Sequence, residues 1–219
     1  MSTLLVNATL ARAAVVLQDA THIRWPLLEL LDWFNDGQRE IVLKKPNASV
    51  KNGPFALASG TKQSLPADGV ELIDVPRNLP GVAIRLVARE ILDAQLPNWH
   101  NLAPTATVQH YCYSELDLKH FYVYPPNNGA GNVELIYSAS PLDAVLGGVM
   151  SIDDIYQAAL LDYVLYRAWN KDAEYAADPA RAAAHYASFA GALGVKMQME
   201  VATSPNALAN GNPNLMRRP

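Results

Sequence analysis

Apolar positions recur at helical spacing in two stretches near the N-terminus and two near the C-terminus, while the stretch between them alternates in short runs broken by turn residues. Residues 3–19, rich in Ala and Leu and free of Gly and Pro, predict a first helix with a wide apolar face. A second is predicted from Pro26, whose fixed φ suits a first helical turn. Leu27, Leu30, Leu31, Phe34, Ile41 and Val42 form its stripe, and Lys44-Lys45-Pro46 close it. The two lysines also suit the negative end of the helix dipole.

Between 47 and 149 the texture changes, and most of the prolines fall there. Phe55–Ser59, Lys62–Leu65, Glu71–Val75, Ala83–Val87, Thr107–Ser114, His120–Tyr124 and Val133–Ser138 read as strands, with turns at Ala67-Asp68-Gly69 and Asn127–Asn132 and a short helix at Arg89–Gln95.

Helix returns at Ser151, which with Asp154 resembles a capping box, and Asp153 and Asp154 suit the positive end of the dipole. This helix is expected to reach about Tyr175. Asp178-Pro179 then supplies a cap and a first-turn proline for an Ala-rich helix ending at Leu193 before Gly194. Beyond it Val195, Met197, Met199 and Val201 alternate with polar residues, the mark of a strand awaiting a partner. The residues after Val201 are rich in Asn and Pro without apolar periodicity. The expected fold class is α+β: a helical bundle built from N- and C-terminal helical hairpins (1–46 and 150–194), an inserted β-rich domain (47–149) and an extended C-terminal arm (195–219).

Composition adds one strong hint. Half of the chain is apolar, yet only 17% of it is charged, below the usual quarter, so an unusual share of surface is expected to be covered by other protein. The formal charge is −4 and the basic residues are scattered, which excludes a protein that grips nucleic acid by clustered cations. A single cysteine, Cys112, rules out an internal disulfide. The apolar segment Leu4–Leu17 carries Asn7 and Arg12 and is too short to span a bilayer, so neither a signal peptide nor a membrane helix is expected.

Candidate chemistry is sparse. His110 and Cys112 would share one strand face, with His120 on the next strand, but the set falls short of the ligands a zinc site needs, so these read as ordinary strand residues. Cys112, between two tyrosines in a sheet-like run, lacks the setting of a nucleophile. Gly129-Ala130-Gly131 and Gly147-Gly148 have no phosphate-loop continuation and read as turns and linkers. Asp153 and Asp154 are accounted for by capping. Tyr156, Tyr163, Tyr166 and Trp169 form an aromatic stripe that reads as packing or subunit contact rather than a base-stacking platform, since only Arg167 interleaves with it. No catalytic residue, metal or cofactor is expected.

The segments RWPLLELLDWFNDGQREIV (24–42), SGTKQSLPADGVELIDVPRN (59–78), LDAQLPNWH (92–100), FYVYPP (121–126), VELIYSASP (133–141) and IDDIYQAALLDYVLYRAWNKDAEYA (152–176) closely resemble the adaptor, or head-to-tail connector, proteins of short-tailed phages. The resemblance implies a structural virion protein at the head-tail junction, assembled in the host cytoplasm. Its subunits would form a dodecameric homo-oligomer ring beneath the portal protein, help retain packaged DNA and carry the tail nozzle or tail fibre proteins. It further implies a C-terminal extension reaching into the portal, here Val195–Pro219, with Val195, Met197, Met199, Val201, Leu208, Leu215, Arg217 and Arg218 as the portal-binding residues.

The residues themselves fit such a ring. One heterologous interface repeated around an axis needs two different sticky faces per subunit, which wide apolar helices and few charges permit. An acidic balance suits DNA passing through a lumen without specific binding, and predicts a neutral or acidic channel wall. The competing readings are another virion ring, for tail completion or the nozzle, and a small phage hydrolase or nuclease.

Overall fold

The computed structural model describes residues 3–79, 81–114, 116–171 and 179–203, the last three of these for the backbone alone. The predicted cap Asp178, the predicted helix end near Tyr175, and Leu208, Leu215, Arg217 and Arg218 lie outside the described residues. The architecture is α+β, with helices at both ends and sheets between. Backbone contacts divide the chain into two compact units, one of residues up to 45 together with those from 142 onward, the other of residues 46–141.

The first unit is helical. Helix α1 spans Val6–Val16, shorter than the predicted 3–19, because Gln18 takes a left-handed φ of 56° and Thr3 and Leu4 are drawn away by Asp154. The Asp19 carboxylate then accepts the backbone N–H groups of Ile23, Arg24 and Trp25 at 2.9–3.0 Å, which shape the turn and hold its pKa below the usual carboxylate range. Helix α2 spans Leu27–Lys44; Pro26 stands just before it rather than inside its first turn, and its carbonyl accepts from Glu29 and Leu30. Helix α4 (Gln157–Lys171) follows a 3-10 turn at Asp154–Tyr156 and packs against α1, α2 and α5 (Pro179–Thr203). Leu160, Val164 and Ala168 of α4 are buried, as are Leu10 and Ala13 of α1, Leu30 and Phe34 of α2, and Ala182, Phe189 and Leu193 of α5. Gly37 lets α2 approach α4 closely: a Cβ there would sit 2.9 Å from the Tyr163 ring.

The second unit is a pair of sheets. Strands β1 (Val50–Ala56), β7 (Asn132–Ala139) and β3 (Gly69–Asn78) form an antiparallel sheet in the order β1-β7-β3, and β2 (Gly60–Ser64), β6 (His120–Asn127), β5 (His110–Tyr113) and β4 (Arg85–Leu86) form the other in the order β2-β6-β5-β4. The first strand begins at Val50 rather than Phe55, because it lies at a sheet edge, where Pro54 removes no needed donor. Alternation then sorts the side chains. Tyr111, Phe121 and Val123 join Val75, Val133 and Leu135 in the core shared by the two sheets. Cys112, Tyr122 and Tyr124 turn to the other face, where Leu92 of helix α3 (Arg89–Gln95) and Trp99 cover them.

Candidate docking surfaces

The candidate metal and nucleophile residues are dispersed. His110 lies opposite Tyr124 and stacks on its ring, at 5.9 Å between centroids, whereas His120 sits at the other end of the β5–β6 pair and bonds Asp117 at 2.7 Å. Cys112 is buried against Leu92 and Trp99, and that burial, aided by the Asp93 charge, pushes its thiol up to about 11, so the nucleophilic thiolate is scarce at neutral pH. Among the described residues no three His, Cys, Asp or Glu side chains converge on a metal-sized point.

The aromatic stripe of α4 packs inside its own unit. Tyr163 meets Phe189 at 5.2 Å, Tyr166 meets Tyr186 at 5.0 Å, and Trp169 stands edge-on to Trp25 at 6.0 Å. The capping expectation for the acidic pair divides. Asp153 is the cap, accepting from the Ile155 N–H at 3.0 Å. Asp154 instead accepts the N–H groups of Thr3 and Leu4 and the Thr3 hydroxyl, so it fastens the chain ahead of α1. Ser151, the expected cap, donates its hydroxyl to the Leu142 carbonyl.

The expected strand at Val195–Val201 is helix: α5 runs through Gly194 to Thr203. Two causes outweigh the period-two pattern. Met, Lys, Gln and Glu all favour helix, and Lys196 and Glu200 pair at helical spacing, 3.8 Å apart. Alternation specifies a strand only where one face is buried, and here neither is: Val195, Met197 and Met199 are 58%, 42% and 61% exposed. The Val201 side chain lies outside the described set. On a helix Val195 and Met199 share one side and Met197 stands on another, and the side between them is anchored. Lys196 lies over the Tyr156 ring at 4.6 Å, and Glu200 pairs with Lys45, whose side chain is almost fully buried. Burial opposes the Lys45 charge, but the Glu200 and Tyr156 bonds outweigh it and raise its pKa. An asymmetry follows. Glu200→Ala leaves a buried ammonium short of its carboxylate and is expected to cost about 1–3 kcal/mol in denaturant melts, whereas Lys45→Met leaves only a half-exposed carboxylate behind and is expected to cost less.

A second surface escaped the sequence reading, which took Gly147-Gly148 for a linker. Residues Leu142–Val149 form an irregular ribbon on the helical unit, held by buried amides. Asn35, on α2, donates to the Ala144 carbonyl at 3.1 Å and accepts its N–H at 2.9 Å; Gln38 accepts the Ser151 N–H at 2.8 Å. Asn7 accepts from Gly147, Val6 donates to Gly148, and Arg39 pairs with Asp143. Gly147 has a φ of +77°, a turn that other residues resist. Ala144 and Met150 point inward while Leu142 and Val145 are 72% and 64% exposed, with Leu146 and Val149 beside them. The only signal in the sequence was Leu, Val, Leu and Val in a glycine-containing stretch that fits neither period.

No helix among the described residues is long and apolar enough to cross a membrane. The family model for the SU10 adaptor protein matches residues 6–209, nearly the whole chain. No curated protein matches it.

Proposed function

Because the chain belongs to the SU10 adaptor protein family, structural proteins of the phage head-tail junction, we propose that it assembles as a closed, dodecameric ring under the portal, helps retain packaged DNA and presents a platform to the tail nozzle. On this reading the chain beyond Gly194 is the portal-binding arm. It leaves the body as a helix bearing Val195, Met197, Met199 and Val201, and continues into the segment that carries Leu208, Leu215, Arg217 and Arg218. The observation that supports the arm is the exposure of Val195, Met197 and Met199, spread around turns that Lys196 and Glu200 anchor to Tyr156 and Lys45. A helix that presents exposed apolar side chains is a common peptide-recognition device, laid into a groove of another protein. Electrostatics supports the DNA role only in a negative way: a mildly acidic subunit surrounds a duplex without holding it by released counterions.

Purified portal tests the reading. The full chain is expected to co-sediment with it and to show a ring of uniform symmetry by electron microscopy, and deletion of residues 195–219 is expected to abolish co-sedimentation. Unchanged binding by that deletion removes the arm assignment. Binding to the tail nozzle in the absence of any binding to portal moves the protein to the tail-completion class.

A further inference from the structure

We propose that the ribbon Leu142–Val149 is the projecting half of the contact between neighbouring copies of this chain, and that it seats on the charge-free outer face of α5 of the next subunit. The inference rests on the ring reading above and names the surfaces that would close the ring.

The ribbon has the features of a prepared docking ridge. An irregular segment ordinarily turns its apolar side chains inward and leaves its backbone to water. Here the polarity is reversed. Two buried side-chain amides, Asn35 and Gln38, are committed to the backbone, and Leu142, Val145, Leu146 and Val149 face out. Leu5, bridged to Val149, widens the patch. Its one charged residue, Asp143, is paired with Arg39 at the edge of the helical surface. A backbone already fixed loses little entropy on docking, so most of the apolar area it buries is retained as affinity.

The occupant is argued from the same unit. From Ala182 to Val195 helix α5 contains no Lys, Arg, Asp or Glu, although its outer positions are exposed: Ala183, Ala184, Ala187, Ser188, Gly191 and Ala192. A helix meant for water carries charge there. Side chains this small leave shallow hollows, and the bulky Leu and Val of the ribbon are the shape that fills hollows. The two faces differ in kind, knobs on one and hollows on the other, and they sit on different elements: the ribbon is bonded to α1 and α2, while α5 packs on α4 by its Ala182, Phe189 and Leu193 side. Two unlike, complementary faces on one subunit are what a head-to-tail ring needs. A two-fold dimer through the ribbon would instead set ridge against ridge.

Sedimentation velocity of the full chain over a concentration series, alone and with purified portal, decides it. Val145→Asp and Ala187→Arg alter exposed side chains only, so each variant should keep the wild-type circular dichroism and melting temperature. Each is expected to raise the concentration for half-assembly at least tenfold, and the double variant, which sets opposite charges across the proposed contact, to recover most of the loss. If the wild type forms rings and Val145→Asp forms them equally well, the ribbon is not the contact. If each single change disrupts assembly and the double does not recover, the two faces do not oppose one another. If the wild type forms no ring under either condition, the ring reading itself fails and takes this one with it.

Discussion

Replacing Trp99 with alanine is expected to destabilise the β-rich unit by about 3–5 kcal/mol, the largest single-residue effect foreseen there. The indole is fully buried. It seals the outer face of the four-stranded sheet, edge-on to Tyr122 at 6.3 Å and Tyr124 at 6.4 Å, and packs with Leu92 and Cys112. Its ring N–H donates to Asp93 at 2.8 Å, which fixes the end of α3 over the sheet. Alanine removes all of these at once and leaves a cavity walled by ring edges that cannot close on it, with each aromatic pair worth about 0.5–1.5 kcal/mol beyond the area it buries. Asp93 is half exposed, so water takes over its lost bond at little cost. A domain has only about 5–15 kcal/mol to lose, so much of this unit should be unfolded under mild heating. The measurement is a guanidinium melt followed by far-ultraviolet circular dichroism. Trp99→Phe should lose less than half as much, because a phenyl ring keeps the edge contacts. A loss below about 1 kcal/mol for alanine would mean that the indole is not packed as described.

That residue also shows what could be read in the sequence. Trp99 lies in one of the segments that carry the family likeness, and the strands around it were placed to within a few residues because Val, Tyr and Phe alternate there between turn signals. Helix α3 was placed at its observed bounds, and α2 nearly so, because Leu30, Leu31, Phe34 and Ile41 form a stripe that only a helix turns inward. The errors share one cause: local pattern was read without knowing what it packs against. The alternation at Val195–Val201 matched a strand, but no sheet edge takes it up, and helix propensity with the Lys196–Glu200 pair decided. The first strand is expected at Phe55–Ser59, yet β1 runs Val50–Ala56, because at a sheet edge Pro54 removes no needed donor. Asp154 had the chemistry of a helix cap, and no spacing could reveal that its partners are Thr3 and Leu4, some 150 positions away. The candidate surfaces were legible only in part. Low charge raises the expectation of covered surface without saying where, and the ribbon has neither helical nor strand periodicity, while its anchors, Asn35 and Gln38, read as ordinary polar positions of an amphipathic helix.

Asn35→Ala should therefore damage both stability and assembly, and the relation between the two losses is informative. The side chain is buried and makes three bonds: it donates to the Ala144 carbonyl and accepts from the Ala144 N–H and from the Gln38 amide, the last at 3.0 Å. Alanine leaves three polar groups without their partner. Each costs about 1–3 kcal/mol when it stays dry, but the ribbon lies at the surface and water can reach part of the gap, so a net loss of about 2–4 kcal/mol is expected in a denaturant melt. Gln38→Ala removes the next member of the same chain of bonds, including the one to Ser151, so the double variant should lose less than the sum of the two single losses. The ribbon backbone should also loosen, seen as faster amide hydrogen exchange at Ala144, Gly147 and Gly148 while α4 exchanges as before. A loosened ridge must be ordered again when it docks, which weakens assembly even though no exposed apolar side chain has changed. Val145→Asp is the mirror case, with the contact spoiled and the fold intact. If Asn35→Ala loosens the ribbon and assembly is unaffected, the rigidity of that segment serves the helical unit alone, and the two buried amides are there to hold α2 to the chain that re-enters it after β7.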